Sequence, residues 1–380
     1  MNLSIRKVET LQDVPATEWN KLVPEDNPFL RHEFLAGLER YKCLDDHGWY
    51  PAHILAYAND ELVGALPLYF KTNSIGEFVF DWSWADAYER AGGQYYPKLV
   101  SAVPFTPVTG PRCLIKPDAQ NKDEICKEIY TYAKQLAEEA DVSGLHYLFP
   151  DDSECKILNN DEDLLIRKAC QYHWFNHDYH DFDEFLQTLN SKKRKQIKKE
   201  RRSLLDADIE IEILCGNEIT SHHWAVYQQF YNSTFYRKWG EPRFTLPFFE
   251  SLGRNLPEST LLFLARHQNE YIAGAFAMKG TKSLYGRHWG CYSQYRFLHF
   301  ELCYYQTIDY CIKHDLNKLD AGVQGEHKIS RGFVPVTTWS AHWIADEQFR
   351  DAIRNFLKYE QHYIDEYMKE LSTHLAYKSV

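Results

Sequence analysis

Two distant stretches of the chain constrain its fold most. "HILAYANDELVGALPLYF" (53–70) alternates apolar residues, turns at Asn59-Asp60 and alternates again. "LLFLARHQNEYIAGAFAMKG" (261–280) does the same around Gln268-Asn269. Period-two alternation on both sides of a two-residue polar turn is the pattern of a β-hairpin. With Glu61 aligned to Glu270, "ELVGALPL" stands beside "EYIAGAFAM", one residue longer, and both return strands carry Gly-Ala. Each hairpin is expected to be followed by another strand, "GEFVFDWSW" (76–84) and "KSLYGRHWG" (282–290). Each of these is expected to lead to a helical stretch, "YYPKLVSAV" (95–103) and "FLHFELCYYQTIDYCIKHD" (297–315). A repeat of this kind points to one fold used twice.

The chain has 380 residues, more than one ordinary core accommodates, which agrees with two domains. "NKDEICKEIYTYAKQLAEEA" (121–140) reads as an amphipathic helix and "LHYLF" (145–149) as a strand. "DFDEFLQTLN" and "SKKRKQIKKERRSLLD" (181–206) read as helices, "IEIEIL" (209–214) as a strand, and 346–371 as a long final helix. Helices alternating with a mixed sheet in each half predict an α/β (α+β mixed) fold. The boundary is expected near 176–190, which gives domains 1–178 and 179–380, the second opening on the basic helix.

Composition limits the function. The net charge of −11 argues against a protein coated in nucleic acid, and DNA is not an expected partner. Aromatic content of 15% fits a well-buried globular protein with aromatic-lined clefts. No apolar run reaches membrane-span length, and "MNLSIRKVETLQDVP" lacks the apolar stretch of a secretion signal. Nine scattered cysteines without a C-x-x-C pair read as reduced thiols in a cytoplasm, not as a zinc site.

Several segments can carry chemistry. "SKKRKQIKKERR" holds eight cations, Lys192 and Arg194 among them, against one acid, Glu200. It reads either as a solvated helix or as a helix start that holds phosphate through free N–H groups and arginine forks. "CQYHWFN" reads as a strand, which keeps His173 and His177 too far apart to share a metal but lets His173 face a cleft. In "DWSWADAYERAGGQYYPKLVSAVPFTPVTGPR" (81–112), Asp81, Trp84, Tyr88, Thr106, Thr109 and Arg112 are candidate pocket residues. Gly92-Gly93 there could take an anion ahead of a helix starting near Tyr96-Pro97. Walker, Rossmann and serine-elbow patterns are absent, so nucleotide hydrolysis, hydride transfer and covalent hydrolysis lose support. His299 and Glu301 open the second crossover helix, where Glu301 is either a dipole cap or a base.

The densest cluster is "GVQGEHKISRGF" (322–333), with Gln324, Glu326, His327, Lys328 and Arg331. Attack of an amine on an acyl ester needs a neutral amine, a stabilised oxyanion and a protonated leaving oxygen. Glu326 or Glu301 can accept the proton, Lys328 can stabilise the oxyanion and His327 can shuttle. The other reading of this loop is a solvated turn.

Strand, loop, helix and strand in tandem resembles the Gcn5-related N-acetyltransferase (GNAT) fold used twice, the form found in Fem-type peptidoglycan aminoacyltransferases. "DWSWADAYER", "YYPKL", "PFTPVTGPR", "QYHWFN", "SKKRK", "HFELCYYQ" and "GEHKISRGFVP" resemble the hallmarks of the FemAB-like family of N-acyltransferases. "RKQIKK" (194–199) resembles a Fem pattern whose first arginine contacts a diphosphate, which implies that role for Arg194. A Fem-type Phe-Lys pair near the end of the second half implies the oxyanion role for Lys328. The resemblance implies transfer of an acyl or aminoacyl group onto an amine of a phosphorylated or nucleotide-linked acceptor, such as a peptidoglycan precursor. The donor would be aminoacyl-tRNA or acyl-CoA, with no tightly bound cofactor. The CoA-binding pattern is met only at its start, by Arg90-Ala-Gly-Gly93, and is absent from "CYSQYRFLHFE". A non-catalytic binder of cell-wall precursors, or an RNA binder using the basic helix, are the rival functions.

Overall fold

The computed structural model describes residues 3–237, 240–292, 295–323 and 325–378. They divide into two compact units, 1–170 with 337–366 and 171–336 with 367–380. A single cut at 178/179 therefore does not describe the chain. The last strand of each unit comes from the other half of the sequence, a pairing that no local pattern announces.

Unit 1 contains β1 (Leu3–Val8), β2 (Trp49–Pro51), β3 (His53–Ala58), β4 (Glu61–Leu66), β5 (Tyr69–Lys71), β6 (Lys98–Ser101), β7 (Leu114–Ile115) and β8 (Gly144–Leu148). β9 (Leu164–Phe175) runs from unit 1 into unit 2. Unit 2 continues with β10 (Ile209–Cys215), β11 (Thr260–His267), β12 (Glu270–Lys279), β13 (Ser283–Cys291) and β14 (Lys318–Asp320). β15 (Val334–Ile344) returns residues 337–344 to unit 1.

The two predicted hairpins form, and they match in detail. Asn59 and Asp60 have φ of 50° and 65°, and Gln268 and Asn269 have the same values. This is the primed turn that suits the right-handed twist of paired strands. A register shift falls between Ala56 and Tyr57 in one hairpin and between Ala265 and Arg266 in the other, each just before its turn. In unit 1 the ribbon continues past β3 and β4. The Ala52 N–H donates to Leu68 O at 2.8 Å, and Trp49 then faces Lys71. Both units consequently have one strand order. In unit 1 it is β1, then the β2–β3 arm, the β4–β5 arm, β6, β8 and β15. In unit 2 it is β10, β11, β12, β13, β14 and β9. In each, one parallel pair (β6 with β8, β13 with β14) is joined through a helix, as parallel pairing requires. The helices are Lys122–Glu139 in unit 1 and the run from Leu298 to Lys313 in unit 2. The first helix presses Ile125, Ile129, Ala133 and Ala137 into a core with Leu99, Leu145 and Tyr147. Full burial of the larger of these, such as Ile125, Ile129, Leu99 and Leu145, stabilises by about 1.5–3 kcal/mol each. Gly64 lets this helix approach, because a Cβ there would lie 2.8 Å from Ile129.

Two local expectations are corrected. Residues 76–84 are not a strand: Trp82–Arg90 is an α-helix that buries Trp84 and Ala85. The alternation of Phe78, Phe80, Trp82 and Trp84 imitates a strand, but Trp84, Ala85 and Tyr88 share a helical face that packs on Leu165, Ile344 and Phe349. Nor are residues 95–103 helical: Lys98–Ser101 is a fully buried strand. Gly92-Gly93 therefore follows a helix and opens none, so the helix-start anion site expected there does not exist.

Candidate functional site

Unit 2 gathers most of the residues singled out by sequence. β14 ends at Asp320, and the chain then turns through Gly322, whose N–H donates to the Asp320 carboxylate at 2.9 Å. The turn Glu326–Arg331 lies between Gly325 at φ 112° and Gly332 at φ 91°. Gly325 is required here, since a Cβ would lie 2.5 Å from the His327 ring. Lys328 is buried, and its Nζ donates to Ala321 O and Gly322 O at 2.7 Å each. An ammonium has three donors, so one remains for a reacting oxygen. Burial pushes Lys328 down to about 8; Asp320 opposes this shift and Arg287 adds to it.

His327 is exposed, and its Nε2 meets the Tyr304 hydroxyl at 2.9 Å. Burial, Arg331 and Lys328 all lower its pKa, so the neutral imidazole prevails at pH 7. The His299 ring lies 6.1 Å from His327 and 5.1 Å from Trp289. Arg331 positions the turn from behind. Its Nη1 donates to His327 O at 2.9 Å, its Nη2 to Glu200 at 3.2 Å and its Nε to the Tyr305 hydroxyl at 3.0 Å. Its guanidinium also stacks 3.5 Å from the Phe300 ring centroid. Glu200, the one acid of the basic run, is thus the buried anchor of that helix. Tyr304 and Tyr305 lie in a widened π-turn, Glu301–Tyr305, a distortion frequent at functional sites.

Asp320 pairs with Arg287 at 3.2 Å and lies 3.8 Å from His173 Nε2. Although burial opposes ionisation, Arg287 and His173 hold Asp320 well below the usual carboxylate range. Burial pushes His173 down to about 4, against the pull of Asp320.

The remaining candidates lie elsewhere. Exposed Glu326 accepts from the Tyr367 hydroxyl at 2.7 Å. Glu301 is buried, and its Oε1 takes Arg201 Nε at 3.1 Å and Gln306 Nε2 at 2.7 Å. Its burial outweighs these partners and raises its pKa. Lys192 is exposed; among the described residues Arg194 makes no ion pair, and its helix starts at an Asn190 cap that accepts from the Lys193 N–H. Gln324 lies outside the described residues.

In unit 1, Asp81 sits in a sealed polar node. It takes Ser74 Oγ at 2.6 Å and Tyr95 OH at 2.8 Å, and it pairs closely with Lys98, which also reaches Glu77 at 2.8 Å. Burial disfavours the Lys98 charge, but the two acids hold its pKa above the ordinary lysine range. Burial pushes Glu77 up to about 7. His146 stands 3.8 Å from Asp81 and 3.0 Å from His342 Nδ1. Trp84 packs on the His342 ring at 4.9 Å and Tyr88 on Phe349 at 4.8 Å, so both belong to the apolar packing. Thr106 is buried and bonds Pro104 O, Thr109 is half-exposed, and Arg112 is buried within its own loop. Sequence reasoning missed Lys98, His146, His342, Arg287, Asp320 and Tyr304. For Lys98, an isolated cation within the apolar run "YYPKLVSAV" was the available signal.

Among the described residues no group of three His, Cys, Asp or Glu side chains is placed to hold a metal ion, and no helix is long and apolar enough to cross a membrane.

Residues 10–379 match the FemAB-like family, described as peptidoglycan biosynthesis/recognition. No curated protein matches the chain. Among solved structures, FemX superposes with a TM-score of 0.54 at 12% identity, covering 93% of this chain and 100% of FemX. L-PGS from Bacillus licheniformis gives 0.51 at 10% identity, covering 93% and 98%. A conserved protein of unknown function from Bacteroides thetaiotaomicron gives 0.50 at 9%, covering 90% and 100%. At these identities the likeness establishes the fold.

Proposed function

The chain belongs to the FemAB-like family, and from that premise we propose that it transfers an acyl or aminoacyl group onto an amine of a phosphorylated or nucleotide-linked acceptor in peptidoglycan synthesis. The family description and the fold shared with FemX support acyl or aminoacyl transfer as the reaction class. One observation in the site carries the reading: His327 and Lys328 are adjacent on a turn braced by Arg331, and their surroundings suit opposite proton tasks.

The neutral His327 imidazole takes the proton that the acceptor amine loses as its nitrogen bonds to the acyl carbon. Tyr304 orients the ring through Nε2. Lys328, fixed by two carbonyls, presents its remaining N–H to the oxygen that gains negative charge. The bond from the acyl carbon to the donor then breaks, C–O in an aminoacyl-tRNA or C–S in an acyl-CoA, and the proton held by His327 passes to the leaving oxygen or sulfur. His327 fits the base role better than Glu326, which is tied to Tyr367, or Glu301, which is tied to Arg201. The basic helix, with Lys192 and Arg194 in its first turn, suits the phosphates of the acceptor or of a tRNA donor.

Incubation of the purified chain with charged tRNAs and acyl-CoAs, each with a nucleotide-linked amine acceptor, tests the proposal by mass spectrometry of the acceptor. Covalent mass gain with one donor class is expected. Tight acceptor binding with no transfer from any donor would make the chain a binding module.

A further inference from the structure

The long final helix of the chain, Glu347–Thr373, has two apolar faces. Its part up to Glu366 belongs to unit 1. One face serves the core: Ile353 and Leu357 pack with Trp84, Leu165 and Ile344. The other carries Ala352, Phe356, Tyr359 and Tyr363, all exposed, the three aromatic residues at 46%, 79% and 67%. An outer helix face is ordinarily polar, so this stripe is not explained by packing within unit 1.

A neighbouring pair of rings extends the stripe. Arg167 donates through Nη2 and Nε to the Glu360 carboxylate at 2.6 and 2.8 Å, and its Nη1 donates to Phe80 O at 3.1 Å. This sets Phe80 beside the helix at Glu360, which shares a side with Phe356 and Tyr363, four residues before and three after it. Phe80 and Trp82 are 48% and 59% exposed, and their rings lie 5.6 Å apart. Five aromatic side chains of about 150–250 Å² each, exposed to these degrees, leave roughly 600 Å² uncovered. A patch of this size marks an interaction surface, and it approaches the roughly 800 Å² that each partner contributes to a stable complex.

Charge and spacing indicate what covers it. Glu360 is neutralised by Arg167, and Asn355 and His362 flank the stripe on its solvent side. Arg354 and Lys358 stand two residues to either side of Phe356, which turns both to the far side of the helix. The stripe thus offers no cation to a phosphate backbone or an anionic lipid surface. Its members are spaced by 4, 3 and 4 residues, the a/d repeat of a coiled coil, and the spacing is the same read in either direction. An antiparallel copy therefore sets Ala352 opposite Tyr363 and Phe356 opposite Tyr359, with small against large in the outer layers, and a two-fold axis repeats each layer. We propose that Phe356, Tyr359 and Tyr363, with Phe80 and Trp82 beside them, bind a second copy of this chain through antiparallel pairing of the final helices. The inference goes beyond the transfer reading and does not depend on it.

Sedimentation velocity of the full chain over a series of concentrations tests the surface. The wild type should double its mass as the concentration rises. Tyr359→Glu sets a carboxylate in the middle of the stripe and should stay monomeric, with the circular dichroism of the wild type. Ala352→Tyr overfills the layer shared with Tyr363 and should weaken the dimer about tenfold. Adding Tyr363→Ala exchanges large and small within that layer and should restore the affinity, which a parallel pairing could not do. A wild type that stays monomeric at every concentration, or a dimer untouched by Tyr359→Glu, would overturn the proposal. So would a monomeric wild type that floats with phosphatidylcholine vesicles while Tyr359→Glu does not, a result that gives the face to lipid. Should Tyr359→Glu lose its helical signal, the size exchange decides: a double variant no tighter than Ala352→Tyr alone counts against the pairing.

Discussion

At the last strand pair of its sheet, unit 1 places His146 beside His342, and unit 2 places Asp320 beside His173. Both pairs anchor a cluster of buried charge, but the clusters differ in what they leave available. In unit 1 the lysine is enclosed: Lys98 lies between Asp81 and Glu77 and stays charged. In unit 2 the lysine is held by two carbonyls, and burial, opposed by Asp320 and helped by Arg287, pushes Lys328 down to about 8. It also stands on a turn bounded by glycines, next to a neutral histidine. The same strand pair thus adjoins an enclosed lysine in unit 1 and, in the reading proposed above, the lysine of a proton-exchanging site in unit 2. Perturbed pKa values mark function only when the perturbed group can still exchange its proton near neutral pH.

The largest expected effect is on stability and lies in unit 1. Lys98→Met leaves Asp81 and Glu77 buried without their cation, and breaking such a pair costs about 3–5 kcal/mol. Urea unfolding should show that loss, while the activity of the folded fraction stays at the wild-type level. A stable but inactive Lys98→Met would move the chemistry into unit 1.

The next effect is on the pH profile. His327 must be neutral to act, and its pKa lies below the usual 6.5, so kcat/KM should fall only on the acid side of that value. Lys328 must be protonated to act, so activity should fall again as the pH rises through about 8. Lys328→Arg keeps the charge at every pH and should remove the alkaline limb. An alkaline limb unchanged in that variant would assign it to another group.

A smaller effect concerns the basic helix. Arg194→Ala should weaken binding of a nucleoside diphosphate by about 1.5–3 kcal/mol, the usual worth of a hydrogen bond to a charged group. Calorimetric titration checks this, and unchanged affinity would make the helix face a solvated surface.

The repeat was legible because its signals are local. Asn59-Asp60 and Gln268-Asn269 adopt the left-handed turn their positions suggest, and the basic run becomes the helix Ser191–Leu205. The turn around His327 and Lys328 was legible as a cluster of functional side chains between glycines. What could not be read is non-local. Strand exchange joins residues that no window contains, and Glu301 finds Arg201 a hundred positions away. The two misread segments fail for a related reason. An apolar run such as 98–101 satisfies a buried strand as well as a helix, and tertiary burial decides. A buried lysine is likewise invisible until its acids are brought to it, as Asp81 and Glu77 are to Lys98.

The most direct test of the transfer site is single-turnover kinetics of Lys328→Met on a donor–acceptor pair the wild type converts. A lysine that stabilises charge only in the transition state should, when lost, lower kcat by about 100-fold or more and leave KM nearly unchanged. Turnover at the wild-type rate in a folded Lys328→Met protein would contradict the assignment of chemistry to the His327–Lys328 turn.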